Sequence, residues 1–252
     1  MADRRPDGSA GDADYGAIGP VFARYRQPEP SIAELIDDAL GAARSVLNVG
    51  AGAGSYEPAG RQITAVEPSG SMRAQRPRHL SAAIDAVAED LPFPDGTFDA
   101  SMATFTVHQW SDLDAGLAEM RRVTRGPVVI MSCDPDLVRR FWLDEYAPDV
   151  LAAEARRYPA LQRIAAALGG HAVVRDIPIP LDCADGFNEA YYGRPSVCWR
   201  RERVWRARPG ASSRRTSGPA TSTACGPIWI PAAGTRGTAS CADRRHSTAR
   251  CA

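Results

Sequence analysis

The chain reads as an α/β protein built on a doubly wound, mostly parallel sheet, and three observations lead there. Apolar blocks of strand length alternate with helical patterns over residues 30–178. One block, Ser45-Val46-Leu47-Asn48-Val49, runs into glycines at alternate positions, Gly50, Gly52 and Gly54. The next, Ile63-Thr64-Ala65-Val66, closes on an acid, Glu67. A strand covered by helices on both faces reads as a continuous apolar run. Glycines at its end let the backbone turn tightly and approach a ligand. An acid closing the following strand can accept from both hydroxyls of a ribose. Together these parts describe a nucleoside site at the carboxyl edge of a parallel sheet.

Residues 1–12 are small, polar and charged, the composition of a disordered N-terminus. A helix is expected over 30–43, with Ile32, Leu35, Ile36 and Leu40 at helical spacing and Ser31 as its cap. Strands are expected at 45–50, 63–67, 82–87, 98–104, 127–133 and 172–178, and further helices at 69–76, 112–123 and 148–168. In such a sheet the ligand crevice lies beyond the carboxyl ends of the strands at 45–50, 63–67 and 98–104. The organisation is then an N-terminal stretch 1–12, one domain over 13–195, and a tail over 196–252.

Charge excludes some partners. The 30 basic residues balance 30 acidic ones, so nothing steers the chain toward nucleic acid or an anionic membrane. Every basic residue is arginine and none is lysine, which reflects GC-rich codon usage more than chemistry. No apolar run approaches membrane-spanning length and no signal-like start is present, so a cytoplasmic protein is expected. Six cysteines in such a chain read as free thiols, and no Cys/His cluster has metal-ligand spacing.

The same strand and turn could open a dinucleotide site, whose fingerprint is G-x-G-x-x-G. Here the spacing is G-x-G-x-G, Ser55 stands where the last glycine belongs, and Tyr56-Glu57-Pro58 follows. That bulk argues against a helix start cradling a pyrophosphate and suits a ligand with a ribose and no diphosphate. An ordinary Gly-rich turn explains the glycines alone, but not the acid in register with them.

These residues resemble the class I S-adenosylmethionine-dependent methyltransferases, in particular the small-molecule enzymes of the ubiquinone/menaquinone-biosynthesis type. Val87-Ala88-Glu89-Asp90-Leu91-Pro92-Phe93-Pro94-Asp95-Gly96-Thr97-Phe98-Asp99 is similar to that group's adenine-side motif. His108-Gln109-Trp110 and Glu119-Met120-Arg121-Arg122-Val123 resemble its next loop and helix, and Tyr15, Phe22, Tyr25 and Arg26 its aromatic–arginine leader. The resemblance covers about residues 15–195. It implies a Rossmann-like methyltransferase fold, S-adenosyl-L-methionine as cofactor and a small-molecule methyl acceptor. It also implies that Gly50, Ala51, Gly52 and Gly54 face the methionine half and Glu67 the ribose. Pro68, Ala88 and Glu89 fall on the adenine side, with Thr104 at the end of the 98–104 strand. Two positions depart from the pattern: Val87 replaces an acid that meets the adenine amino group, and Asn48 replaces an acid within the first strand. Asn48 keeps hydrogen-bonding capacity for the cofactor-binding set but not charge.

Methyl transfer from a sulfonium is an in-line displacement, so positioning and desolvation supply most of the acceleration. A general base helps only a protonated acceptor. His108, at the mouth of the crevice, is the catalytic candidate, beside the alternative that it only shapes the loop. Trp110, Phe141, Trp142 and Tyr146 are candidates for an apolar acceptor wall, and Cys133 reads as a small core residue. A non-catalytic S-adenosylmethionine-binding protein is the alternative function, and a nicotinamide oxidoreductase a lesser one.

From about Ser196 the composition changes to Arg, Ser, Thr, Ala, Gly, Pro and Cys, with four of the six cysteines. A basic tail that folds on an acidic partner and a disordered tail both fit. A shifted reading frame explains more: from Cys225 onward another frame permits an amphipathic helix, a loop and a strand start. On that reading the family's last, antiparallel strand is missing and the 172–178 strand lacks its partner.

Overall fold

The apolar blocks pair side by side, as their continuous hydrophobicity requires. The structure is a computed structural model that describes residues 26–169, 171–192 and 228–231. Among these the sheet has strands β1 (Ser45–Val49), β2 (Gln62–Val66), β3 (Ala100–Thr104), β4 (Val128–Ser132), β5 (Arg175–Asp176) and β6 (Ile228–Pro231). Their order is β2-β1-β3-β4-β6-β5. β1 to β4 are parallel, and β6 runs antiparallel to both β4 and β5.

Helices cover both faces. On one, α1 (Pro30–Leu40) buries Ile32, Ile36 and Leu40 against Val46, Met102, Val129 and Met131. Pro30 suits a first helical turn, where its missing N–H is not needed. Ser31 lies inside this helix and is not its cap: Glu29 holds the cap position, and the Ser31 hydroxyl donates to its carboxylate at 3.2 Å. On the other face, α3 (Leu113–Val123) presents Leu113, Leu117, Met120 and Val123 to Leu47, Val66 and Ile130. Their three- and four-residue spacing makes one apolar stripe. Asp112 caps α3 by accepting from the Ala115 N–H at 3.1 Å, and Arg121 and Arg122 stand at its negative end. Between β2 and β3 lies the single helical turn α2 (Gly70–Arg73), and after β4 come α4 (Pro135–Val138), α5 (Pro148–Arg157) and α6 (Leu161–Ala167).

Several expected elements differ. The 82–87 strand is reduced to one bridge, Ile84 opposite Val66. It sits at the sheet's edge with Ile84 41 % exposed, so little apolar burial rewards a longer ladder. The 148–168 helix breaks at Tyr158-Pro159, where Tyr158 takes extended dihedrals. Proline lacks the donor and crowds the residue before it out of the helical region. The 172–178 strand keeps two residues, Arg175 and Asp176.

The last antiparallel strand, expected to be missing, is present. Residues 228–231 occupy that place, with Ile230 opposite Ile130, and β4 is therefore not an edge. Ile228-Trp229-Ile230 is a β-branched and aromatic run within a segment otherwise rich in turn formers. The 1–12 stretch, the leader aromatics Tyr15, Phe22 and Tyr25, and the remaining tail lie outside the described residues.

Candidate active site

The glycine loop wraps around Glu67. Leaving β1, the Gly50 and Ala51 N–H groups both donate to the Val66 carbonyl at the end of β2, at 3.0 and 2.9 Å. The Gly52 N–H donates to one Glu67 carboxylate oxygen and the Ser69 N–H to the other, each at 2.8 Å. Ser69 in turn caps α2 through the Met72 N–H. Burial pushes the Glu67 pKa up, and these two N–H groups, with Arg73 and Arg76 nearby, pull against it. Each oxygen accepts one bond from the loop and keeps a second lone pair for a ligand. Gly50 has to be glycine because a side chain there would run into Thr106. Gly52 stands at φ +53°, with the Met72 methyl 3.3 Å from where a Cβ would sit.

Above the loop lies a cleft, partly open to solvent. Of the residues singled out from sequence, Gly50, Ala51, Gly52, Glu67, Pro68, Ala88, Glu89 and Thr104 line it, with Arg26 and Trp110. Glu89 accepts through one oxygen from the Ser111 hydroxyl at 2.8 Å and the Asp112 N–H at 3.0 Å, which ties that wall of the cleft to the start of α3. Trp110 lies against Gly116 of α3, where a Cβ would be 2.6 Å from the indole. Gln109, named above with its loop, also faces the cleft, as do Met72, Phe105 and Thr106, which no spacing in the sequence marked.

Three sequence expectations are corrected. Asn48 does not face the cleft: it is 1 % exposed within β1 and donates to Glu57 at 3.0 Å, while the other Glu57 oxygen takes Arg76 at 3.0 Å. Gly54 looks the other way, toward Leu80 and Arg76, which fill the space a side chain would need. His108 is turned from the cleft as well. It belongs to the 3₁₀ turn Val107–Gln109, whose residues point in three directions, and of these Gln109 reaches the cleft. The His108 ring meets Tyr158 edge-on at 4.8 Å.

The cleft is closed by segments remote in sequence. Arg26 binds Asp185 through two nitrogens, at 2.8 and 3.2 Å. The Tyr56 hydroxyl donates to the same carboxylate at 2.8 Å, and burial together with Asp185 keeps that phenol protonated by pushing its pKa up. Glu29 accepts from the Ala184 N–H at 2.7 Å. The Arg26 guanidinium lies 4.8 Å over the Phe105 ring, and Phe105 packs on Phe187 at 5.2 Å. Of the expected aromatic wall, Phe141 and Tyr146 belong to a separate cluster beyond Phe105, together with Cys133, Leu151 and Tyr158. In that cluster burial raises the Cys133 thiol and the Tyr158 phenol, which are hydrogen-bonded to each other.

Comparison with known proteins accords with this geometry. A model of the methyltransferase domain matches residues 47–130, which span the glycine loop, Glu67 and the adenine-side motif. Over these residues the chain carries a methyltransferase domain and is similar to the class I S-adenosylmethionine-dependent methyltransferases. It is 31 % identical over 121 residues to a malonyl-[acyl-carrier protein] O-methyltransferase of Pseudescherichia vulneris, covering 45 % of this chain and 48 % of that protein. It is 34 % identical over 139 residues to the enzyme of the same name from Geobacter sulfurreducens, covering 49 % and 50 %. The chain thus spans about half the length of the curated relatives it matches. A structure from Anabaena variabilis, assigned to methyltransferases of an antibiotic-biosynthesis pathway, superposes with a TM-score of 0.66 at 29 % identity over 72 % of this chain and 78 % of its own. An S-adenosylmethionine-dependent methyltransferase from Thermotoga maritima shares the fold, with a TM-score of 0.56 at 16 % identity over 87 % and 96 %.

No helix among the described residues is long and apolar enough to cross a membrane, and none of them form a group fit to hold a metal ion.

Proposed function

We propose that the chain transfers a methyl group from S-adenosyl-L-methionine to a small-molecule acceptor. The observation that carries this reading is Glu67: its two oxygens each bind one loop N–H and each keep a lone pair over the cleft floor. That arrangement suits the paired hydroxyls of a ribose. The cofactor, when bound, supplies a methyl group activated on a positively charged sulfur. The chain's own residues hold and enclose it. Gly50 and Gly52 keep side chains out of the methionine end, and Pro68, Ala88 and Glu89 bound the adenine end. Arg26 and Phe105 shut water out on the far side. Enclosure and alignment are the main requirements of a displacement whose leaving group becomes neutral.

Calorimetric titration with S-adenosylmethionine, S-adenosylhomocysteine and NAD tests it. The first two should bind and NAD should not. Glu67→Ala should weaken S-adenosylhomocysteine by about 1.5–3 kcal/mol, as for bonds to a charged group. Unchanged affinity in that variant, or preference for NAD, would sink the reading.

A further inference from the structure

The packed cluster beyond Phe105 adjoins a carboxyl that the cofactor cleft does not use. Glu189 lies in the 3₁₀ turn Asn188–Tyr191 and is 6 % exposed. Its hydrogen-bond donors among the described residues are the Cys133 thiol, 4.0 Å from Oε1, and its own backbone N–H. Among the described residues no ion pair reaches it: Arg26 is engaged with Asp185, and Arg157 with Glu154 at 3.1 Å. A buried carboxyl without a cation is expensive, and a purely structural role would be filled as well by glutamine or an apolar side chain.

Its contact with Cys133 sets it by the carboxyl edge of the sheet. Cys133 follows β4 directly, and the crevice of such a sheet lies beyond the carboxyl ends of the strands. Phe105 lines the cleft on one side and packs on the Cys133 cluster on the other. It is held at φ +52°, a conformation an aromatic residue rarely adopts and one associated with functional sites. Arg26, also on the cleft wall, acts electrostatically on Glu189. The groups facing Glu189 are therefore the Cys133 thiol from the end of β4, Glu154 of α5 with Arg157, Tyr158 beside Cys133, and Arg26 with Asp185.

We propose that Glu189 is the proton acceptor of the transfer, so that the methyl acceptor is a protic one, a hydroxyl or an ammonium, reaching Glu189 past Phe105. This rests on the methyltransferase reading above. In the step, the acceptor's X–H bond breaks and its electron pair forms the bond to the methyl carbon. The pair of the carbon–sulfur bond returns to sulfur, and the proton passes to a Glu189 oxygen. A carboxylate acceptor is already ionised and would need no such group. Burial, reinforced by Glu154, pushes the Glu189 pKa up to about 7, so the carboxyl can take a proton and release it near neutrality.

The test compares wild type with Glu189→Gln and Glu189→Asp, using catechol, tyramine and the malonyl thioester of N-acetylcysteamine as methyl acceptors. Labelled methyl should pass to catechol or to tyramine, and whether the product is a methyl ether or a methylated amine separates a hydroxyl from an amine. Glu189→Gln should lower kcat by about 100-fold or more and remove the limb of the pH profile near neutrality, while Glu189→Asp keeps part of both. Affinity for S-adenosylhomocysteine should not change. By infrared titration, the protonated-carboxyl band of wild type should disappear as pH passes about 7 and be absent in Glu189→Gln. An unchanged kcat and pH profile in Glu189→Gln overturns the proposal. So does transfer confined to the malonyl thioester, or none to either protic probe by a protein that still binds S-adenosylhomocysteine. If wild type binds no S-adenosylhomocysteine, the methyltransferase reading fails first and the proposal falls with it.

Discussion

On one side of the cleft, Gly52 and Glu67 meet across fifteen residues of chain; on the other, Arg26 and Asp185 meet across 159. The first contact is a product of local geometry. Two neighbouring parallel strands end at the same edge, and the turn after one falls against the acid closing the other. The second exists only once the whole domain has closed, because nothing near Arg26 in sequence fixes where Asp185 will be. The ligand-gripping side should therefore tolerate damage elsewhere, and the closing side should register any loss of global stability.

Gly52→Val strikes the local side hardest. It forces a β-branched residue to φ +53° and presses against Met72, so binding of S-adenosylhomocysteine should fall below detection by calorimetry. Helical content by circular dichroism should hardly move, since no helix depends on that residue. Normal binding would mean that the loop is a plain turn. Asp185→Ala strikes the distant side. It removes the carboxylate shared by the buried Arg26 guanidinium and the Tyr56 hydroxyl, and breaking a buried pair in this way costs about 3–5 kcal/mol, read as a drop in the urea midpoint. A loss confined to binding, with stability intact, would show that the two sides are less separate than argued.

The smallest effect is a pH dependence, and its sign follows from Glu189. The folded carboxyl titrates at about 7 against an ordinary 4.5, so the folded state holds its proton more tightly than the unfolded chain does. Stability from this source is complete below about pH 4.5 and is lost as pH rises through about 7, a fall of about 3 kcal/mol. Burial shifts Glu67 the same way, so only the difference between wild type and Glu189→Gln isolates the effect. Urea unfolding of both proteins across that range measures it. Equal slopes would place Glu189 in a wetter setting than its burial indicates.

The comparison also explains what could be read from sequence. β1 to β4, α1 and α3 were legible because each buries a run or stripe of its own, and Gly50, Gly52 and Glu67 because strand ends bring them together. Ile84 was misjudged because alternation cannot tell an edge from a buried strand. Pro159 carried the signal that breaks the 148–168 helix, but the apolar periodicity on both sides concealed it. Asn48 and His108 sit in segments that do bound the cleft, and only side-chain direction removes them from it. Glu189, Asp185 and Phe105 bore no mark, since their meaning lies in partners that sequence spacing does not specify. β6 was hidden for a different reason: four residues in a segment of foreign composition carry too little pattern to stand out.

The Arg26–Asp185 contact has a kinetic side. A molecule held against Arg26 and Phe105 leaves more freely when that wall gives way, and giving way means parting a buried, doubly hydrogen-bonded ion pair. Such local opening is rarer than the fraying of an exposed loop. Residence time in the cleft is then set by an electrostatic latch as much as by the grip on the ligand. Spent cofactor would depart at the pace of that latch, a step many enzymes of this kind find slower than the chemistry.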